Sequence, residues 1–250
     1  MAGRSDASTS TIVPGVFRLG TPVVNWYLVA GEDGVTAVDA GLPRHADTLD
    51  EDLGRLGLGA GDVRAVVLTH SDADHTGVAG RLRDAGARVL IRDEDAPTLA
   101  KPGPKSGDAA PVKLVPQLWR LSLWRFMGHM ARAGGARPSG VEGAETFADG
   151  DVLEVPGRPR AIATPGHTAG HSALLFEQHG AFFAGDALCT WNPLTGTRWP
   201  QLMPKCFNED NRAARASLDA IAAADAQVLL CGHGEPWHGA PAAAVARARG

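Results

Sequence analysis

The chain has 250 residues, 44% of them hydrophobic, and a formal net charge of −4, a composition that supports one large globular unit with a sizeable core. Several classes of function are excluded: no basic stripe is present for nucleic acid, and no apolar run reaches the roughly 18 residues of a membrane span. Cys189, Cys206 and Cys231 are odd in number and far apart, which argues against a disulfide framework and for a reducing compartment. The expectation is a cytoplasmic protein acting on a small molecule, with neither nucleic acid nor membrane as partner.

Residues 1–12, opening MAGRSDASTST, are small and polar without the apolar stretch of a signal peptide, and are expected to form a flexible tail before a single domain over 13–250. Val23–Ala30 and Val35–Asp39 read as strands joined in a hairpin by the turn Gly31–Gly34. His45–Leu56 then reads as a helix stopped by Gly57, Ala65–Thr69 as a strand, Thr76–Ala85 as a helix, Arg88–Ile91 as a short strand, and Asp93 as the opening of another helix. A helical insert at about 101–143 follows. Its turn-rich ends, KPGPKSGD and GGARPSGVEG, enclose Val115–Met130, where Trp119, Trp124, Phe126 and Met127 are interspersed with Arg120 and Arg125. This spacing predicts an amphipathic helix whose aromatic face serves as core, as a lid near substrate, or as a homodimer contact. Beyond it Ala161–Ala163, Ser172–Phe176 and Ala181–Ala184 read as strands, Glu209–Ala224 as a helix capped by Asn208, and Gln227–Leu230 as a last buried strand. Hairpins mixed with helical crossovers predict an α/β (α+β) arrangement of mixed sheets covered by helices.

The chemistry concentrates in LTHSDADHTG, where His70, Asp72, Asp74 and His75 fall within six residues after the apolar Ala65–Leu68. Imidazoles and carboxylates packed at a strand end are desolvated and mutually repelling unless a cation neutralises them. A nitrogen and oxygen donor set without thiolate suits zinc, iron or manganese; the competing reading is a polar loop at a helix N-terminus. Three more polar residues each follow a glycine just past an apolar strand: His167 in ATPGHTAGHS, Asp186 in FFAGDAL and His233 in VLLCGHGEP. Glycine there lets the backbone turn so that the side chain projects past the sheet edge.

The ordered set H-x-[HD]-x-D-H, G-H, G-D and G-H, with VDAGL at Val38–Leu42 and FNEDNRAARASL before the last strand, resembles the metallo-β-lactamase-fold superfamily of metallohydrolases over about Val13 to Trp237. The resemblance implies a four-layer αββα sandwich, two mixed β-sheets flanked by helices, with a binuclear metal centre along one edge. It makes His70, Asp72 and His167 ligands of one divalent ion and Asp74, His75 and His233 ligands of the other, with Asp186 bridging. Zinc is the first candidate, iron and manganese the alternatives. Asp72 departs from the family, whose hydrolytic members mostly carry histidine there. A third carboxylate leaves the core near neutral, weakens Lewis acidity and favours harder metals. Two zincs with a less acidic water, an iron-containing pair, or a half-filled site all follow from it.

The function so implied is hydrolysis of a carboxylic ester, lactone or thioester by a metal-bridging hydroxide, with Asp74 orienting the nucleophile or passing a proton to the leaving group. The alternatives are an iron-dependent oxidoreductase of the same fold acting on a sulfur compound or oxygen, and a metal-binding protein without turnover. Asp39 is expected beneath the site, orienting a ligand imidazole, and His171 in a turn beside the ligands or the substrate. In the loop after Asp186, Trp191, Asn192 and Arg198, with Trp199 and Lys205, suit a substrate with a polar or anionic head and an apolar body. His45, His129, His179 and His238 are expected to be solvated, and Cys231 to be a packing residue.

Overall fold

The computed structural model describes residues 9–136 and 139–250. Seven strands form the first sheet in sequential order: β1 (Ser10–Val13), β2 (Val16–Gly20), β3 (Asn25–Gly31), β4 (Gly34–Val38), β5 (Val63–Val67), β6 (Arg88–Arg92) and β7 (Glu145–Phe147). The first four are an antiparallel meander and the rest continue parallel to β4. The second sheet holds β8 (Arg160–Ala163), β9 (Ser172–Phe176), β10 (Ala181–Gly185), β11 (Val228–Cys231) and β12 (Trp237–His238), in the order β12-β11-β10-β9-β8. Only β10 and β11 pair in parallel there. Both sheets are mixed, as expected.

Side-chain alternation stacks the layers. Tyr27 and Val29, Ala65 and Val67, Phe183, and Val228 and Leu230 turn inward into the core between the sheets. Trp26, Leu28, Val66 and Leu68 turn outward beneath α1 (Leu49–Gly54) and α2 (Ala79–Asp84), through Leu49, Leu53 and Leu82. Phe182 and Leu229 turn outward beneath α5 (Asn211–Ala222) and α6 (Pro241–Arg249), through Leu218, Ile221 and Val245. Helix, sheet, sheet and helix follow one another, the αββα sandwich implied by the resemblance. At its centre Tyr27 and Phe176 each meet Phe183 edge-on with ring centroids 5.2 Å apart; burying a side chain of this size is worth about 2–3 kcal/mol.

Several boundaries differ from the sequence expectation. Ser10, Thr11 and Ile12, placed in the tail, join Val13 in β1, which pairs with β2; residues 1–8 lie outside the described residues. The helix expected over His45–Leu56 divides into a 3₁₀ turn at Pro43–Asp47 and α1, and His45 is buried rather than solvated. Its Nδ1 accepts the Leu42 N–H at 3.1 Å, and burial lowers its pKa to about 4. The helix expected from Thr76 starts three residues later, because Gly77 lies so close to the Leu42–Pro43 backbone that a Cβ would sit 2.1 Å from Leu42. Asp210, not Asn208, caps α5 by accepting from the N–H groups of Arg212 and Ala213. A 3₁₀ helix over Asp93–Asp95 leads into α3 (Ala96–Ala100). In the insert, Pro111–Gln117 is a 3₁₀ helix around Pro116, and α4 (Leu121–Arg132) is shifted from the expected span.

Candidate metal centre

The sheets meet in register at one edge. The Ser172 N–H donates to the Thr69 carbonyl at 2.9 Å, and the Asn25 N–H to the Gly232 carbonyl at 2.8 Å, so loops from both sheets face one another. His70, Asp72, Asp74 and His75 lie beyond β5, His167 beyond β8, Asp186 beyond β10 and His233 beyond β11. All seven are gathered there. His167 Nε2 is 3.0 Å from Asp72 Oδ2, His233 Nε2 is 3.1 Å from Asp186 Oδ2, and His75 Nε2 is 3.6 Å from Asp186 Oδ1. Asp74 Oδ2 is 3.4 Å from His233 Nε2 and 3.9 Å from His75 Nε2. Two glycines make the approach fit. Gly185 adopts φ +50, and a Cβ on Gly232 would fall 2.3 Å from Asp186 Oδ1.

Each of the four imidazoles is fixed through Nδ1. His75 meets Asp39 Oδ2 at 2.8 Å, His70 meets Thr69 Oγ1 at 3.0 Å, His167 meets Asn208 Oδ1 at 3.2 Å, and His233 meets the Val23 carbonyl at 2.7 Å. With Nδ1–H donating to these acceptors, every Nε2 turns its lone pair into the cluster. His70 Nε2, His75 Nε2 and Asp186 Oδ1 are buried without a hydrogen-bond partner. Buried acceptors facing acceptors at these separations need a cation between them. The donor atoms form three groups, each within 4.8 Å: His70, His75 and Asp186; His70, Asp72 and His167; Asp74, His75 and His233. The residues therefore fit divalent metal, by donor chemistry and by their orphaned atoms.

Electrostatics carry the same strain. Burial would lower the pKa of His75, but Asp39, Asp186 and Asp74 raise it to about 10; His233, buried against Asp186, is raised to about 9. Burial would raise the Asp186 pKa, but His233 and His75 hold it well below the usual carboxylate range. Asp72, likewise penalised by burial, is held low by Lys105, His167 and His70.

Asp39 lies beneath the site as expected, in left-handed backbone at φ 62. Its carboxylate accepts from the Thr69 N–H at 2.8 Å as well as from His75. His171 is buried beside the seven clustered residues, where its Nε2 accepts the Asp186 N–H at 3.0 Å. Burial and the neighbouring imidazoles keep it neutral, so it positions Asp186 rather than meeting substrate. Trp191 packs within 6.0 Å of Phe126 and 6.5 Å of His233, ring centroid to centroid. Two expectations for that loop are corrected. Asn192 turns inward to accept from the Leu194 and Thr195 N–H groups, fastening its own loop. Arg198 lines a separate hollow with Trp199, Trp237 and Arg247. Cys231 packs in the outer core, its thiol pKa raised by burial.

Four functional neighbours went unassigned in the sequence. Lys105, in the turn opening the insert, places Nζ 2.6 Å from Asp72 Oδ2 and 3.0 Å from His167 Nε2. Asn208 orients His167 instead of capping a helix, and Thr69 orients His70. Asp95 accepts from the Ser71 N–H, the Thr168 hydroxyl and the Gly170 N–H at 2.7–3.0 Å, tying the loop after β5 to the loop after β8. A cavity of about 840 Å³ opens above the cluster, floored by Asp72, Asp74, His167, Asp186 and His233 and walled by Phe126, Met130 and Phe207.

The profile of the metallo-beta-lactamase superfamily matches residues 19–233, from β2 to the last histidine of the cluster. The chain belongs to this superfamily. Among relatives, the probable metallo-hydrolase YflN of Bacillus subtilis is 29% identical over 90% of this chain and 86% of its own length. The uncharacterised YobT of the same organism is 27% identical over 85% and 83%. A metallo-beta-lactamase family protein of Thermus thermophilus superposes with a TM-score of 0.67, 27% identity and coverage of 95% of this chain and 79% of that one. A subclass B3 metallo-beta-lactamase from a soil metagenome library, 19% identical, shares the fold at a TM-score of 0.69, covering 98% and 94%. The superfamily frame explains why strand-end residues from both sheets converge on one edge.

Proposed function

We propose that this member of the superfamily is a two-metal hydrolase of a carboxylic ester, lactone or thioester. The observation that carries the reading is the convergence of four imidazoles, each pinned through Nδ1, with Nε2 of His70 and His75 and Oδ1 of Asp186 left without partners. His70, Asp72 and His167 would hold one ion, Asp74, His75 and His233 the other, and Asp186, within 3.6 Å of His75, His167 and His233, both. When bound, the ions, zinc first among the candidates, would supply Lewis acidity and an acidified water.

The chain's own residues do the remaining work. Asp74, on the cavity floor, has a second carboxylate oxygen with which to orient a nucleophile or move a proton towards the leaving group. An alkoxide or thiolate leaving group needs little further acid, which favours the three substrate classes named. Lys105 returns the positive charge that Asp72 removes, and its ammonium faces an anionic group of the substrate or the carboxylate product. Phe126, Met130 and Phe207 shelter an apolar substrate body from water.

The test is elemental analysis of protein purified without added metal, followed by turnover of an ester, lactone and thioester panel. Two zincs per chain with hydrolysis that Asp74→Ala abolishes support the reading. Substantial iron favours the second reading, an oxidoreductase of sulfur compounds or oxygen, for which the oxygen-rich shell created by Asp72 is the supporting observation. Bound metal with no turnover of any substrate leaves a metal-binding protein.

A further inference from the structure

The insert presents a surface that the catalytic reading does not use. Of the nine large hydrophobic residues exposed among the described residues, seven lie between Val112 and Met127. Trp119 is 75% exposed, Val112 68%, Leu121 64% and Trp124 55%. On α4 the outward residues Leu121, Trp124, Arg125, Gly128 and Arg132 follow helical spacing, while on the inward face Leu123 packs against Leu194 and Cys206 and Phe126 against Phe207 and Trp191. The outward face is held in shape. Trp124 Nε1 donates to the Leu118 carbonyl at 2.7 Å, which satisfies the indole and leaves its ring facing out, and the Arg120 guanidinium lies 4.5 Å from the Trp119 ring centre.

The charge of this surface is as one-sided as its apolarity. No aspartate or glutamate occurs from Ala109 to Val141, whereas Lys113, Arg120, Arg125 and Arg132 do, in a chain whose net charge is −4. We infer that the outward face of the 3₁₀ helix and α4 docks on the surface of an anionic lipid bilayer. Indoles and aliphatic side chains flanked by Arg120, Arg125 and Arg132, none of which pairs with a carboxylate among the described residues, match the headgroup boundary of such a membrane, where aromatic rings sit at the interface and each cation is attracted to anionic lipid. A second copy of this chain is the poorer occupant. A two-fold contact would lay the patch on itself, bringing its cations together with no carboxylate of the patch to answer them. The absence of a spanning segment, from which the sequence predicts no membrane partner, does not bear on a helix lying in the interface. Met127 belongs both to the exposed face and to the cavity wall, so a docked molecule holds its cavity rim at the lipid surface and favours substrates with an apolar body. The docking itself is independent of the catalytic reading and is measured without turnover.

The experiment is co-sedimentation of the metal-loaded full-length protein with vesicles of phosphatidylcholine alone and with vesicles containing phosphatidylglycerol, at low and high salt. Binding to the phosphatidylglycerol vesicles is expected, with a blue shift of tryptophan emission and loss as ionic strength rises. The double variant Trp119→Ser with Trp124→Ser is expected to lose at least tenfold in partition. The variants Arg125→Gln and Arg132→Gln are each expected to lose about fivefold, which is about 1 kcal/mol per cation. All are to keep the metal content of the parent, which shows that they fold. No vesicle binding, or binding that these variants leave unchanged, overturns the inference. So does concentration-dependent dimerisation that the tryptophan variants abolish, because a second copy then covers the face.

Discussion

Asp74, His75 and His233 sit on buried loops, their imidazoles fixed by the Asp39 carboxylate and the Val23 carbonyl. In the other, outer group His70 is buried, and Asp72 and His167 line the same cavity as Asp74 and His233, but the Asp72 and Lys105 side chains are each 23% exposed and the ammonium lies against two of the three donors. The donor types are the same, two imidazoles and a carboxylate, but the outer group has a lysine ammonium against it, whereas the inner group carries only the protons that its own imidazoles bind. Lys105 opposes a second cation in the outer group, while the protons of the inner group can leave, so the inner group is expected to fill first.

The largest expected effect tests what the groups share. Asp186→Ala removes the carboxylate lying within 3.6 Å of His75, His167 and His233. Both metal equivalents should be lost by elemental analysis, with a fall in kcat/KM beyond the roughly 100-fold that losing an outer partner costs; retention of two equivalents breaks the ligand assignment. Next comes pH. In the metal-free protein His75 and His233 have pKa values raised to about 10 and about 9, so both carry protons at neutral pH. Metal must displace them, so binding to the inner group should release protons and strengthen as pH rises towards 9–10. The same raised pKa values stabilise the metal-free fold fully below the unfolded value near 6.5, and that stabilisation disappears as pH climbs through 9 and 10. His167 has a lowered pKa, from burial and Lys105, and its group should release fewer protons. Calorimetry in buffers of different ionisation enthalpy separates the two; equal release from both groups removes the distinction.

Smaller effects belong to single supports of the outer group. Lys105→Met should tighten the weaker metal equivalent by about tenfold, or about 1.4 kcal/mol, while lowering affinity for anionic substrates, as read by metal titration and by KM. Asn208→Ala frees His167 Nδ1 and should weaken the same equivalent by roughly tenfold, leaving the tighter one unchanged. A loss confined instead to the tighter equivalent reverses the order of filling.

The seven residues that the structure gathers at one edge are legible as a group because their signal is local: an apolar strand followed by a glycine or a dense histidine and aspartate run. Apolar runs mark β5 and β10 as buried strands, and the pleat turns their alternate residues towards opposite layers. Lys105, Asn208 and Asp95 were not legible, because their roles depend on loops meeting across the sheet edge rather than on neighbours in the chain. Asn208 stands where a cap is expected, yet Asp210 does that work two residues later. Ser10, Thr11 and Ile12 continue a small, polar run and join a strand because β2 offers them a pairing edge. Asn192 and Arg198 follow a site residue closely in sequence, but their loop folds onto itself and carries them away from the cavity.

Asn25 binds the two ends of the fold together. Its side-chain amide donates to the carbonyls of Cys231 and Gly234, while its Oδ1 accepts from the Arg18 guanidinium. An early strand thus clamps the loop that bears the final histidine. During synthesis on the ribosome this clamp stays open until the chain has emerged past Gly234, so the seven clustered residues come together only after the first sheet and β8 to β11 have been made. A chain that ends before Cys231 would lack His233 and both of the carbonyls that hold Asn25, although the other six clustered residues would all be present.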